Sequence, residues 1–226
     1  MRGPRSREAH AAINAFRTAG APRGDRFHVA FRWWTCPFPA VVEAVPVTGK
    51  VLEVGCGHGL LSLYLALSAD GRRVTGVDID HDKLVLARAA AEQLEPADRA
   101  RVTFVDGNVG AFVDGEFDAI VIADVLYLLP LDARLALLDD CAQHLAPGGR
   151  LVVKEADNRP RWKSAITVGQ ELLSTRVLRI TEGTEVDFAP PRLLADRLRR
   201  AGLVVTERRI DRGYLHPHVL IVGTKP

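Results

Sequence analysis

The chain has 226 residues, of which 47% are hydrophobic and 26% are charged, and its formal net charge is +2. This length favours a single domain with a sizeable core, and the composition excludes disordered and fibrous classes. The weak net charge does not indicate a nucleic-acid partner, which usually requires a clustered basic surface.

The spacing of the cysteines and the length of the apolar runs indicate the cellular compartment. Cys36, Cys56 and Cys141 are odd in number and far apart, which predicts reduced thiols and neither a disulfide framework nor structural zinc. The longest apolar runs are strand-sized, and residues 1–20 lack the apolar core of a signal peptide. We therefore expect a cytoplasmic protein without an integral membrane segment. The sequence leaves open whether it is a monomer or a dimer.

From residue 49 onward, short β-branched runs alternate with helical patterns. Near-continuous apolar strands alternating with helices indicate a doubly wound α/β sheet of mostly parallel strands. The predicted strands are 50–54, 73–78, 102–106, 117–123 and 149–155, and the predicted helices are 59–67, 80–92 and 132–144.

Both ends of the chain depart from this alternation. Helix 191–201 precedes strands 203–210 and 218–224, whose link is too short for a parallel crossover, so these two strands should be antiparallel. Residues 1–46 are mostly helical and rich in aromatic residues. We expect them to form an N-terminal helical cap on an α/β domain over 47–226.

Residues 51–59, VLEVGCGHG, have the pattern of a buried strand running into a glycine-rich turn that opens a helix. Glycines permit positive φ and let a ligand approach bare backbone, so we expect a nucleoside-type ligand there, with a purely structural turn as the alternative. The dinucleotide fingerprint needs a small residue where Leu60 stands, which disfavours NAD and FAD. Asp78 suits a carboxylate that binds both ribose hydroxyls, and Asp80 is the better helix N-cap.

Together these features resemble the class I S-adenosylmethionine (SAM)-dependent methyltransferase superfamily, from about Val47 to the C terminus. The segments that carry the resemblance are EVGCGHG at 53–59, Asp78, VDGN at 105–108, FDAIVIAD at 117–124 and LAPGGRL at 145–151. The resemblance implies seven strands in the order 3-2-1-4-5-7-6 with the last strand antiparallel. It also implies SAM as cofactor, S-adenosylhomocysteine as product and a small-molecule methyl acceptor.

The resemblance further implies which residues hold the cofactor. Glu53 and Gly55 would face the methionine part, Gly57 would pass under the ribose, and Asp78 would bind its hydroxyls. Asp106 would reach the adenine amino group. The other implied cofactor-binding positions are Cys56, Gly59, Ile79, Gly107, Asn108, Ala123 and Asp124.

Methyl transfer by in-line displacement requires alignment, water exclusion and, for a protonated nucleophile, a base. The candidate bases are Glu155 at the end of the fifth strand, His28 in the cap, and His216 and His218 beside the last strand. Each has a structural alternative as a hydrogen-bonded or capping residue, and we favour Glu155 because its strand end faces the site.

Acceptor binding is expected to involve Trp33 and Tyr127, and also Arg161 and Trp162 in an insert at 158–188 that exceeds the usual loop length. An apolar face and basic residues in this insert suit an apolar acceptor with an anionic group, although a packed apolar face and a solvated basic face are alternatives. The register of the residues after the fifth strand disfavours a magnesium site, so no metal is expected.

Two other functions stay open at this point. One is a nucleotide-linked oxidoreductase with a modified glycine turn. The other is a non-catalytic SAM-binding module, against which the intact Glu53, Asp78 and Asp106 argue.

Overall fold

The computed structural model describes residues 6–107, 115–156, 189–214 and 217–226. Their strands form one seven-stranded sheet in the order β3-β2-β1-β4-β5-β7-β6. Strands β1 to β5 pair in parallel, whereas β7 runs antiparallel to both β5 and β6. The predicted class, strand order and terminal antiparallel pair are confirmed. The strands are β1 Thr48–Val54, β2 Gly71–Asp78, β3 Val102–Asp106, β4 Phe117–Ala123, β5 Leu145–Ala156, β6 Val204–Arg209 and β7 His218–Thr224.

Helices cover both faces of this sheet. α7 and α8 pack together over one face, in a cluster that includes Leu138, Cys141 and Leu198. None of the helices in the described ranges is long and apolar enough to cross a membrane. The helices are α1 Arg7–Thr18, α2 Arg23–Thr35, α3 Phe38–Ala44, α4 Leu60–Leu67, α5 His81–Ala91, α6 Pro96–Arg99, α7 Leu131–Gln143 and α8 Pro191–Arg200.

The N-terminal helices share a continuous hydrophobic core with the other face of the sheet. Helix α4, LLSLYLAL, is apolar all round, and residues 60–66 are all buried. A helix of this kind needs cover on every side. The sheet supplies one side, and α1 and α3 pack against α4 as well.

Arg72, near the start of β2, links the sheet to helices α3 and α4. Its side chain is buried, and its guanidinium donates hydrogen bonds of 2.7–3.2 Å to the carbonyls of Val42, Val45, Pro46 and Leu65. These carbonyls lie at or just beyond the C-terminal ends of α3 and α4, where helices leave acceptors without partners and carry partial negative charge. Arg72 therefore holds both helix ends against β2.

Candidate active site

The glycine turn after β1 has the open backbone that the sequence predicted. Gly55, Gly57 and Gly59 have φ of 70°, 52° and 77°. A Cβ added to Gly57 would meet only the Lys83 Cδ atom, at 3.9 Å, whereas one added to Gly59 would lie 2.5 Å from Phe104. The protein therefore packs tightly behind Gly59 but leaves space beside Gly57. A cofactor can lie against the backbone there.

Asp78, at the end of β2, is tied to this turn. One carboxylate oxygen accepts the Gly57 N–H at 2.6 Å and the other accepts the Asp80 N–H at 2.9 Å. The Gly107 N–H donates to the Asp78 carbonyl at 2.9 Å, so the loop after β3 is joined to the same point. Asp80 caps α5 through the Lys83 N–H, as predicted. Three backbone N–H groups therefore hold the glycine turn, the start of α5 and the loop after β3 around Asp78.

Asp106 and Ile79 lie farther out, at the ends of β3 and β2. Asp106 pairs with Arg88 and accepts a 2.7 Å hydrogen bond from Nδ1 of His81, and both interactions lower the pKa of its carboxyl, Arg88 most. Ile79 is 77% exposed, so its side chain offers an apolar surface beside these charges. This edge can accept hydrogen bonds from a purine and cover its ring.

Glu53 lies at the inner end of the site on β1. It is buried and accepts a short hydrogen bond from the hydroxyl of Ser62 on α4. Burial raises the pKa of the Glu53 carboxyl to about 8, against which the Ser62 hydrogen bond acts. Cys56, in the turn that follows, is also buried.

Helix α2 contacts the glycine turn through His58. Oδ1 of Asp25 lies 3.0 Å from Nε2 of His58, and the ring of His28 lies 5.0 Å from that of His58 between centroids. Partial burial, followed by the His58 and Arg32 charges, lowers the pKa of His28 to about 4, so this imidazole is neutral at pH 7. Trp33, on the inner face of α2, is buried and packs edge-on against Tyr64 at 5.0 Å.

An ion cluster surrounds Asp124 at the end of β4. Among the described residues, Asp124 is the one non-glycine residue with positive φ, at 58°. Its carboxylate pairs with Lys154 of β5 and with Arg32 of α2, the latter at 2.8 Å, and Cys36 Sγ lies 3.5 Å away. Burial opposes ionisation of Asp124, but the two cations outweigh it and hold the carboxyl pKa well below its usual range. This edge combines two cations with one carboxylate.

Glu155, next to Lys154, holds the turn that follows Asp124. Its Oε1 accepts the N–H groups of Val125 and Leu126 at 3.3 and 3.0 Å. Burial, followed by the Asp124 charge, raises the pKa of Glu155 to about 8. The turn continues into a 3-10 helix, Leu126–Leu128, which carries Tyr127. Ala123, the last residue of β4, is buried.

His218 begins β7 and reaches toward α2. Its Nε2 lies 2.8 Å from the Thr35 carbonyl, and its ring packs edge-on against Tyr214 at 5.9 Å. His218 thus joins the end of α2 to the sheet. Several predicted positions lie outside the described residues, namely Asn108, Arg161, Trp162, His216 and the insert at 158–188.

The sequence reasoning missed several residues that the structure brings to the site, namely Asp25, Arg32, His58, Ser62 and Lys154. Lys154 had a signal, because a lysine in the apolar strand LVVKEA needs a buried partner. The pairing with Asp124 had no signal, because that residue is distant in sequence. No group of three or more potential metal-binding side chains occurs within the described part of the chain.

A sheet of this order, with a glycine turn after its first strand and carboxylates at the ends of the next two, matches the arrangement that the resemblance to class I SAM-dependent methyltransferases implies. The model of a family described as methyltransferase domain matches residues 51–149. A ubiquinone biosynthesis O-methyltransferase from Xanthomonas axonopodis pv. citri is 30% identical over 194 residues, which cover 79% of each chain.

Solved structures show the same fold. An O-methyltransferase family protein from Burkholderia thailandensis aligns with a TM-score of 0.68 at 21% identity, over 89% of this chain and 59% of that one. The glycopeptide N-methyltransferase MtfA complexed with SAM aligns with a TM-score of 0.62 at 21% identity, over 84% of this chain and 92% of that one.

The chain belongs to the class I SAM-dependent methyltransferases, and it is an enzyme with SAM as cofactor and S-adenosylhomocysteine as product. The residues present fit this cofactor, because the backbone beside Gly57 is open and Asp78 lies next to it. The comparisons do not support the oxidoreductase and non-catalytic alternatives.

Proposed function

We propose that this enzyme methylates an oxygen atom of a small molecule that has an apolar body. The observation that carries the proposal is the ion cluster of Arg32, Asp124 and Lys154 at the carboxyl ends of β4 and β5. Two cations there face one carboxylate, and the raised pKa of Glu155, about 8, keeps that carboxyl largely protonated at pH 7. This edge of the site therefore carries a net positive charge.

A positive field favours an oxygen nucleophile over an amine. Nearby cations lower the pKa of a phenol or enol and stabilise its oxyanion. An amine that is protonated in water must lose its proton before it binds beside them, at about 1.4 kcal/mol per pKa unit. The O-methyltransferase name of the Xanthomonas relative supports the same choice.

The apolar body is inferred from exposed side chains near the cluster. Phe31 and Trp34, on either side of Arg32 in α2, are 37% and 50% exposed, and Leu128, next to Tyr127, is 55% exposed. Exposed apolar side chains next to cluster residues in the sequence suit an apolar ligand. From the sequence we also propose that residues 1–46 act as a cap and that the insert at 158–188, with Arg161 and Trp162, contributes to the acceptor pocket and binds an anionic group.

When bound, SAM supplies an electrophilic methyl group. The residues of this chain align and shield the reacting groups, which is the main protein contribution to an in-line displacement. Gly55, Gly57 and Asp78 hold the cofactor in the proposed arrangement. The Arg32 and Lys154 charges favour the ionised form of the acceptor oxygen.

The test is a comparison of matched acceptors that share one aromatic body and differ in carrying a hydroxyl or an amino group. With SAM that carries a labelled methyl group, we expect methyl ethers from the hydroxyl compounds and little product from the amines. Asp78→Ala serves as the control, because it should lose activity on both series. Methylation of the amines alone would contradict the oxygen assignment.

A further inference from the structure

Two consecutive ionisable residues, Lys154 and Glu155, are buried near the end of β5, at 1% and 4% exposure. Successive residues of a strand point to opposite faces of the sheet, so these two side chains lie on opposite faces. Burial of an ionisable side chain is unfavourable unless it finds a polar partner. Both partners belong to one segment, the turn over residues 124–129 that follows β4.

The two residues hold this turn by different contacts. Lys154 forms an ion pair with Asp124, the residue with a left-handed φ of 58°. Glu155 accepts the N–H groups of the next two residues, Val125 and Leu126, at 3.3 and 3.0 Å. The start of the turn is therefore held from both faces of the sheet.

The position of this turn matters to both halves of the site. The side chain of Val125 fills the space that a Cβ on Gly55 would occupy, so the turn lies directly against the glycine turn. Tyr127 follows two residues later in the 3-10 helix. A shift of the turn would displace the backbone beside the cofactor and the side chains beside the acceptor together.

We propose that Lys154 and Glu155 are a pair of positioning residues that hold the turn over 124–129 against the glycine turn, and that Glu155 is not the general base. Only the kinetic test of this proposal rests on the proposed function, because it needs an oxygen acceptor as substrate. What Glu155 contributes is an oxygen that accepts two backbone hydrogen bonds. A glutamine carbonyl can do the same, whereas it cannot take a proton from an acceptor.

Glu155→Gln and Glu155→Leu therefore separate the two roles. We expect Glu155→Gln to keep kcat within about threefold, the effect of weakening one hydrogen bond. Glu155→Leu should lower kcat by roughly 10- to 100-fold through misplacement of the turn. A general base would instead make Glu155→Gln lose about 10²- to 10⁴-fold and change the pH profile of kcat. Equal losses in both variants would overturn the proposal.

Hydrogen exchange tests the positioning role without any acceptor. In Lys154→Met, the amides of residues 125–129 should exchange at least about tenfold faster than in the native enzyme, while the amides of β1 and β4 keep their protection. Lys50→Met, at an exposed position of β1, is the matched control and should change neither. Unchanged exchange in Lys154→Met would overturn the positioning role even if oxygen methylation were confirmed.

If Lys154→Met does not fold, the same exchange measurement on Glu155→Leu and Glu155→Gln decides. Faster exchange of the turn in the leucine variant and native exchange in the glutamine variant would support the proposal. Equal exchange in these two variants would contradict it.

Discussion

The Gly57→Ala substitution tests the cofactor site, because it adds a single methyl group where the cofactor is expected to lie. Gly57 has φ of 52°, a left-handed conformation that costs an alanine roughly 1–2 kcal/mol. The added Cβ would meet nothing closer than Lys83 Cδ at 3.9 Å, an ordinary contact. The expected loss in the free energy of unfolding is therefore the backbone cost of about 1–2 kcal/mol alone, and the sheet should remain folded.

The same methyl group would occupy the space in which the cofactor should lie. We expect SAM affinity, measured by titration calorimetry, to fall at least about tenfold, or 1.4 kcal/mol. Gly202→Ala is the matched control, because Gly202 has φ of 87°, has nothing within 4 Å of its Cβ position and follows α8. It should lose similar stability and bind SAM normally. Native SAM affinity in Gly57→Ala would refute the placement of the cofactor against this turn.

Three further predictions concern binding and stability. Asp78→Ala should weaken SAM binding roughly 10- to 100-fold in the same calorimetric assay, and unchanged affinity would remove the ribose assignment. Arg72→Met should lower the free energy of unfolding in urea by about 2–4 kcal/mol, because buried carbonyls lose their donors, while its exposed neighbour variant Arg73→Met should stay within about 0.5 kcal/mol. Equal losses of unfolding free energy in Arg72→Met and Arg73→Met would show that the buried guanidinium does not contribute to stability. The Glu155 contribution to stability should fall as pH rises from 4.5 toward 8, because burial raises the pKa of Glu155 from 4.5 to about 8 and the fold favours its protonated form. This contribution is complete below the ordinary pKa and lost as pH passes the raised one, so Glu155→Gln should flatten the decline measured by thermal unfolding.

Local patterns were enough to predict most of the sheet. The bounds of β3, β4 and β7 match the prediction residue for residue, because turn-forming or charged residues interrupt the apolar runs at those points. Strand β5 begins earlier than expected, at Leu145. Pro147, Gly148 and Gly149 have the pattern of a turn, yet Gly148 and Gly149 hydrogen-bond to Lys225 at the end of the chain. That pairing depends on a partner far away in the sequence.

The site likewise has one part that local sequence patterns predict and one part that depends on partners far away in the sequence. The glycine turn and Asp78 lie within one strand-turn-helix-strand unit, so their spacing predicts their proximity. The ion cluster has no such signal, because 92 residues separate Arg32 from Asp124 and 30 separate Asp124 from Lys154. Aromatic composition is also ambiguous, since it does not distinguish Trp33, buried against Tyr64, from the exposed Trp34.

Helix α2 makes long-range contacts with both turns in the site, the glycine turn and the turn over residues 124–129. Asp25 pairs with His58 in the glycine turn, and Arg32, two helical turns farther on, pairs with Asp124 in the turn over residues 124–129. Val29 and Trp33 anchor the helix in the core, so α2 joins the two turns as a rigid element. Moving either turn requires breaking one of these side-chain contacts or displacing packed side chains, and packed cores resist continuous deformation. We therefore expect Asp25 and Arg32 to be energetically coupled, which a double-mutant cycle on SAM affinity would measure as a coupling of at least about 0.5 kcal/mol. Strict additivity of the two changes would show that the turns move independently and that α2 only covers them.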